Sequence, residues 1–572
     1  LRRYMAAKEI FMKKIISLLI CISIFISCAT AFAFEFPSVD WGALLAEKER
    51  MVNETDFELY VQADVSNLPY YGARLEPKDG AYLGMIAETS ENFWPLGSYL
   101  TYIDAMNQPD FYYPANEIIK GNDSAVMVGW TINSLDEVNY DTIRSVLNTL
   151  AAYNKPMFIR FANEMNVSSL GDEPERYVEI FRNVANIVHE YDNFAVVWSP
   201  NDLGALDRPF EFFYPGDEYV DWIGVSMYMI KYFQGKADTS YKDSVYFMTG
   251  DYAWATNRIK PIVDFMAKNN INKPVMISEG GVPTNTNHDT DLEAWGAPRM
   301  RDMLWNLVMK YPQIKMINYF NNHRANEAER YDINDYQYAS DIFAEVKTSG
   351  LYKTSAAAPS DFALVPANGG EITDIAANGI LYTLAHIPNK ADITVNYAID
   401  GEWCHSSNKI PYKFSFSNIS SVSDGRHTLK IWAENVSKEY VFYKHGTKIR
   451  FGADFEPEIP VVIDGETLET DRSPIIVNDR TLVPMRAIFE KLGASVDWNE
   501  SAQSVTAVKG EKEISLAIGG DVMYIDGEAK TLDVPAMLYD GRTLVPVRAV
   551  SEALGCGVEW LGEENKVVIT TK

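Results

Sequence analysis

Cysteine is scarce in this 572-residue chain, and a surplus of positive charge is missing altogether. Of the 4 cysteines, Cys21 and Cys28 fall in an N-terminal apolar run, leaving Cys404 and Cys556 in segments assigned below to different domains. Two such distant thiols exclude a disulfide-stapled scaffold and supply too few ligands for a cysteine metal site. Lysine and arginine number 51 against 79 acidic residues, and the net charge of -28 argues against nucleic acid or an anionic membrane surface as partner. Neither a G-x-G-x-x-G nor a Walker-type loop follows an early strand, which disfavours a nucleotide-binding fold. His288-Asp289-Thr290-Asp291 has the residue types of a metal cluster, but one histidine in a polar loop reads as solvated. No metal and no cofactor is expected.

Long apolar runs are also few. Met12-Lys13-Lys14 precedes an apolar segment from Ile15 to Ile26, followed by small residues and Ala31-Phe32-Ala33. This is the pattern of a secretory signal peptide, so residues 1–33 are expected to be a cleaved leader, with Met12 the start and upstream sequence before it. The run is too short to span a bilayer and no second one follows. The mature chain is therefore expected outside the cell, free or held at its surface. Phe25-Ile26-Ser27-Cys28 offers a competing reading, a lipid anchor on Cys28.

What remains is globular in composition, 47% hydrophobic and 23% charged, and long enough for two to four domains. From about Gly80 to Tyr352, short apolar runs alternate with amphipathic stretches. Strands are expected at 81–87, 125–132, 157–161, 194–198, 220–227, 274–277 and 314–320. Uninterrupted apolar strands suit a sheet covered on both faces, hence a parallel one. Between them, Tyr177, Phe181, Val184 and Val188 recur at helical spacing after Pro174. Repeated units of this kind predict an α/β fold, a (β/α)8 TIM barrel within residues 34–353, its second strand near Phe111–Ile118.

After the linker Ser355-Ala-Ala-Ala-Pro-Ser360, residues 358–447 show short strand-like runs and Asp-Gly turns, the pattern of an immunoglobulin-like β-sandwich. A junction at Glu456-Pro-Glu-Ile-Pro460 leads into residues 458–572. There Ile463-Asp-Gly-Glu466 returns as Ile525-Asp-Gly-Glu528, Arg480-Thr-Leu-Val-Pro484 as Arg542-Thr-Leu-Val-Pro546, and Leu492-Gly493…Trp498 as Leu554-Gly555…Trp560. The offset is always 62 residues, so a small α+β unit is duplicated.

Two apolar strands run straight into carboxylates. In "MFIRFANEMN", Phe158, Arg160, Ala162 and Glu164 share one face of an extended chain, which directs Arg160 and Glu164 into the barrel at its C-terminal end. "KPVMISEGG" repeats the event with Glu279, followed by two glycines expected to allow a sharp exit. Counting strands puts Glu164 on the fourth and Glu279 on the seventh. Two converging carboxylates are what glycosidic cleavage requires, one as acid and one facing the anomeric carbon. Tyr228, ending the sixth strand, is placed to hydrogen-bond Glu279, and Arg160 to orient a carboxylate. Trp130, Trp198 and Tyr319 end other strands, as sugar platforms or as ordinary core.

In order along the chain, "IRFANEMN", "FYPGDEYVDWIGVSMY", "KPVMISEGG" and "IKMINYFNN" resemble clan A glycoside hydrolases, most closely family 26. The resemblance covers about residues 80–350. It implies a retaining endo-β-glycanase with Glu164 as acid/base and Glu279 as nucleophile, acting on β-mannan, β-glucan or xylan. Family 26 usually carries His before the acid/base; here Asn163 stands there, the wider clan's pairing, in which the amide binds the sugar 2-hydroxyl. The duplicated segment resembles the family named after the N-terminal domain of copper amine oxidase. Residues 446–572 hold no histidine, so no copper site can be built, and the resemblance implies cell-wall or surface attachment. The rival reading is a non-catalytic cell-surface glycan-binding protein with a decayed barrel site.

Overall fold

The computed structural model describes residues 53–571 except 105, 107–114, 122, 203–207, 232–253, 288, 323–328, 368–372, 377–378, 389, 391, 417–420, 447, 453–458, 471–473, 500–501, 540–541 and 563–564. The expected leader, Cys28 and His288 lie outside the described residues.

All seven apolar runs form strands, and with an eighth they close a parallel barrel. In order these are β1 (Ala81–Ile86), β2 (Ser98–Asp104), β3 (Ala125–Thr131), β4 (Met157–Phe161), β5 (Phe194–Trp198), β6 (Trp222–Tyr228), β7 (Val275–Gly281) and β8 (Ile314–Tyr319). Closure comes from β8 pairing back onto β1, Met316–Tyr319 against Tyr82–Met85. Most of these strands are buried along their whole length, as a sheet wrapped by helices demands. The helix Pro174–Val188 starts on its proline and turns Tyr177, Phe181, Val184 and Val188 inward.

The second strand is not near Phe111–Ile118. Residues 111–114 lie outside the described residues, and the rest of that stretch belongs to the helix Ala115–Gly121. Strand β2 escaped the apolar pattern because Ser98, Thr101 and Asp104 interrupt it. Ser98 is nonetheless buried, because its hydroxyl donates to Asn318 Oδ1 at 2.6 Å. A side chain at Gly84 would collide with both of these oxygens, which fixes glycine there.

Downstream of the barrel lie two antiparallel sheets. One holds Ala363–Pro366, Asp56–Ala63, Ile380–His386 and Tyr412–Ser415; the other runs Thr373–Ala376, Lys448–Phe451, Val436–His445, Gly425–Ala433, Val395–Ile399 and Glu402–Ser407. They meet where the Tyr397 ring stacks on Phe414 at 5.0 Å and its hydroxyl lies 2.9 Å from Thr383 Oγ1. Strand Asp56–Ala63 is notable, since its sequence position put it with the barrel. Its partial alternation of buried and half-buried residues suits an antiparallel sheet, and it sits between Ala363–Pro366 and Ile380–His386.

The sheets also pack on the barrel's helical layer. Trp305 stacks on Tyr382 at 6.0 Å under the ammonium of Lys413, and Arg301 donates to the carbonyl of Ile410 at 2.9 Å. Residues up to Ala453 accordingly form one compact unit, and Asp454–Lys572 a second. In the second unit the repeats are related by a two-fold axis. Val483 pairs with Val545 across antiparallel strands, flanked by Leu482 with Pro546 and Pro484 with Leu544.

A chain ending at residue 353 strips Asp56–Ala63 of both neighbours and bares Trp305. Burial of one such ring is worth about 2–3 kcal/mol, so this truncation should unfold at clearly lower temperature than one ending at 453. Equal unfolding midpoints in calorimetry would show that the sandwich does not support the barrel.

Candidate active site

The site is built around a buried positive charge. Arg160 lies on β4 with no exposed surface on its side chain. Its Nε donates to Ser199 Oγ at 2.9 Å, one terminal nitrogen to Ser226 Oγ, and the other to Glu279 Oε2 at 2.7 Å. Ser278 Oγ lies 2.8 Å from Ser199 Oγ, which extends the ring of hydroxyls. Ser199 lies just past the end of β5, Ser226 within β6, and Ser278 within β7 beside Glu279, so three neighbouring strands converge on one guanidinium. Burial of an arginine is tolerable only with such a set of acceptors.

Glu279 is held from three sides. Besides Arg160, Tyr102 donates to its Oε2 at 2.5 Å and Tyr228 to its Oε1 at 3.1 Å. Burial by itself would push this carboxyl up, but the Arg160 charge and the three hydrogen bonds overcome it and hold the pKa below the usual carboxylate value. Tyr102 reaches across because Gly129, its register neighbour on β3, has no side chain. A Cβ there would lie 2.7 Å from the Tyr102 ring.

The expected role of Gly280 and Gly281 as a sharp exit is not what the structure shows. Strand β7 continues through both, and neither has a positive φ. Space is the reason for them: a Cβ on Gly280 would lie 2.3 Å from the Met227 carbonyl, and one on Gly281 would lie 2.9 Å from the Tyr331 ring.

Glu164 reaches the same cleft by a different route. Strand β4 ends at Phe161, so the alternating row that orients Arg160 does not extend to Glu164. Instead Ala162 and Glu164 both adopt left-handed backbone, φ 49° and 57°, an arrangement that costs about 1 kcal/mol or more for each residue with a Cβ. Hydrogen bonds from Ala162 N to the Trp130 carbonyl and from Glu164 N to the Ser199 carbonyl hold the turn. The carboxylate then lies 4.0 Å from Arg160 and accepts from Asn201 Nδ2 at 3.4 Å. Burial and the charge of Glu279 push its pKa up, against the pull of Arg160. One carboxyl is therefore biased to stay ionised and its neighbour to hold a proton.

These groups line an open cleft of 690 Å³. Asn163, Asn201, Tyr228, Phe320 and Tyr331 share its wall, with Asp202 and Arg258. Arg258 donates twice to Asp202, at 2.5 and 2.8 Å, and also to the carbonyl of Tyr228, which fixes the strand end that carries that tyrosine. The Asn163 side-chain oxygen is buried and has no donor among the described residues.

Of the residues singled out from sequence, Glu164, Glu279, Asn163, Arg160 and Tyr228 come together here. Trp130, Trp198 and Tyr319 do not. Trp130 packs edge-on against Phe161 at 5.7 Å, Trp198 is enclosed by Phe210, Tyr214 and Phe265, and Tyr319 donates to the Val282 carbonyl at 3.0 Å beside Phe343. All three are fully buried and face away from the cleft, the outward set of an alternating strand. The rings that do line the cleft are Tyr102, Tyr228, Phe320 and Tyr331. Tyr102 was missed because its strand was missed. Serines in otherwise apolar runs at Ser226 and Ser278 were the available signal for the hydroxyl ring.

Comparison with known proteins adds a family to this geometry. Residues 84–288, which include both carboxylates, match the family model of Glycosyl hydrolase family 26, and residues 462–569 match that of the Copper amine oxidase N-terminal domain. The chain is 28% identical over 127 residues to a beta-1,3-xylanase of Vibrio sp, covering 20% of this chain and 25% of the xylanase. It is 30% identical over 125 residues to a protease inhibitor of Brevibacillus choshinensis, covering 22% of this chain and 38% of the inhibitor. The matches thus span well under half the length of these relatives. Among solved structures, a modular endo-beta-1,4-mannanase from Cellulomonas fimi aligns over 66% of this chain and 98% of its own, at 14% identity and a TM-score of 0.33. A beta-mannanase from Bacteroides ovatus aligns over 56% and 97%, at 12% identity and a TM-score of 0.36.

The raised pKa of Glu164 has a consequence for stability. The folded state holds its proton to higher pH than the unfolded chain does, so this group's contribution falls as pH rises through its folded pKa. Above the unfolded carboxylate range, pH 7 included, this group therefore opposes folding. Glu164→Gln should therefore unfold at a higher temperature than wild type at pH 7, with the gap closing in acid below the unfolded carboxylate range. An equal or lower midpoint at pH 7 would contradict the placement of Glu164 beside a second negative charge.

Proposed function

We propose that this chain, whose residues 84–288 match the Glycosyl hydrolase family 26 model, is an exported retaining glycoside hydrolase that cleaves internal β-linkages of a neutral polysaccharide. The observation that carries this reading is the opposite displacement of two carboxyl groups in one cleft. Glu279, kept ionised by Arg160, Tyr102 and Tyr228, is suited to attack an anomeric carbon and form a glycosyl ester. Glu164, biased toward its protonated form, is suited to donate to the departing oxygen and then to take a proton from the water that releases the sugar.

A double displacement of this kind implies carboxyl oxygens about 5–5.5 Å apart when substrate is bound. Asn163 supplies an unpaired acceptor where a sugar hydroxyl needs one. The substrate class is β-mannan, β-glucan or xylan. Kinship with beta-1,3-xylanases supports a β-linked glycan, while Asn163 in place of the family's usual histidine leaves mannan no special claim. Retention of both carboxylates weighs against a decayed, purely binding site. The leader-like segment at residues 12–33 supports export, and the duplicated module supports surface attachment through residues 458–572.

The roles are separable by experiment. Glu279→Ala removes the attacking group and should lower kcat by several orders of magnitude on every substrate. It also leaves the Arg160 charge without its counterion, a gap that azide can fill. Azide then attacks from the same side and yields a glycosyl azide of inverted configuration. Glu164→Ala should spare the first step on aryl glycosides with acidic phenols, and azide should intercept the intermediate with net retention. Matching anomers from both variants would sink the double-displacement reading.

The acid limb of the pH profile tests what holds Glu279 ionised. Activity should rise as pH climbs through the Glu279 pKa and fall as Glu164 loses its proton. Tyr102→Phe deletes one hydrogen bond to the anion, so the acid limb should move to higher pH and kcat/KM should drop about ten-fold. An unmoved limb would mean that Tyr102 does not support the charge.

A further inference from the structure

The two-fold axis of residues 454–572 creates two matching clefts that the barrel chemistry does not use. One, of 770 Å³, is lined by Pro484, Met485, Arg486 and Trp498 of the first repeat together with Arg542 and Thr543 of the second. The other, of 370 Å³, is lined by Pro546, Val547, Arg548 and Trp560 of the second repeat together with Arg480 and Thr481 of the first. Every position of one set maps onto the other at the 62-residue offset, with the repeats exchanged. The exchange follows from the pairing at Val483 and Val545: each central strand begins beside the other repeat's cleft and ends beside its own.

Packing does not explain what the two clefts share. Trp498 and Trp560 are each 37% exposed, on the edge strands Ser495–Asn499 and Gly557–Leu561. Arg480, Arg486, Arg542 and Arg548 are exposed as well. Meanwhile the neighbours differ between copies: Glu469 corresponds to Thr531, Met485 to Val547 and Lys491 to Ala553. Both clefts fall within the roughly 300–1,000 Å³ of small-molecule sites.

We infer that these clefts are paired carbohydrate-binding sites, each seating a sugar ring of a neutral polysaccharide on its tryptophan. An indole offers a broad flat apolar face of the kind that packs against the axial C–H face of a pyranose. Arginine and threonine donors with acidic acceptors at the rim (Glu490 in one cleft, Asp479 and Glu559 in the other) match hydroxyls that both donate and accept. Acidic side chains outnumber basic ones two to one over residues 454–572, which disfavours a polyanion or an anionic lipid surface and leaves a neutral chain unaffected. A duplicated site also suits a repeating ligand. Once one ring is held, the second cleft meets another ring of the same chain at high effective concentration.

The inference rests on the proposed function for the identity of the polymer, so the test separates the two. Full-length Glu279→Gln protein is depleted on insoluble mannan, β-glucan and xylan, with Trp498→Ala, Trp560→Ala or both added. The barrel contributes equally to all four proteins. Each single substitution should weaken retention several-fold on at least one of the three glycans, and the double substitution at least ten-fold. Trp498→Phe/Trp560→Phe, which keeps a ring at both positions, should recover most of the binding. In the active protein, the double alanine variant should keep its kcat/KM on soluble oligosaccharide and lose turnover on insoluble polymer. Retention unchanged by the double alanine variant on every glycan overturns the inference, as does a phenylalanine pair no better than alanine in protein with an unaltered unfolding midpoint. Wild type that hydrolyses no soluble oligosaccharide, while the tryptophan dependence of binding persists, refutes the proposed function and leaves the clefts standing.

Discussion

A single buried guanidinium organises the catalytic end of the barrel. Arg160 has no exposed side-chain surface, and taking an unpaired charge of that kind out of water costs several kcal/mol or more. The surrounding residues are selected by that cost. Two serine hydroxyls and one carboxylate accept its hydrogen bonds, and a third serine extends the ring. Glycines at positions 129, 280 and 281 open the space through which Tyr102, the Met227 carbonyl and Tyr331 approach the same region. The positive charge then biases the two carboxyls unequally, because it lies 2.7 Å from Glu279, within hydrogen-bond reach, and 4.0 Å from Glu164.

From that inequality comes the opposite bias of two chemically identical side chains. Glu279 has a cation and three hydrogen bonds, enough to outweigh its burial. Glu164 has a more distant cation, weaker hydrogen-bonding support from Ser226 and Asn201, and a negative neighbour. The backbone contributes as well: two left-handed residues bracket Asn163 and aim it and Glu164 into the cleft, at a conformational cost met by the packed strands beneath. A site tuned in this way is less stable than an inert one, the usual trade between function and folding.

The rest of the chain shows two ways of joining domains. The sandwich takes its strand Asp56–Ala63 from ahead of the barrel in the chain and stacks Tyr382 on Trp305 of the barrel's helical layer, so their boundary in sequence is not a boundary in structure. The duplicated unit instead joins to itself: an antiparallel pairing centred on Val483 and Val545 lets one gene segment, copied, bury its own face against its twin. Its two clefts are a by-product of that symmetry before they are anything else, and exposed tryptophans at both places give them a use.

Much of this was legible in the amino-acid order, and the reason is local. Strands buried on both faces must be apolar throughout, so seven of eight barrel strands announced themselves, as did the duplication, whose copies repeat residue for residue. The carboxylates were legible because a strand ending in a buried acid violates that same rule. What only the tertiary structure decided involves partners far apart in the chain. Polar residues in β2 are tolerated because Asn318, 220 positions away, accepts from Ser98, and no local pattern encodes that. The direction of Trp130, Trp198 and Tyr319 depended on which face of each strand meets the helices. The opposite electrostatic bias of Glu279 and Glu164 depended on their distances to Arg160, and the shorter of these exists only once β4 and β7 belong to one closed cylinder.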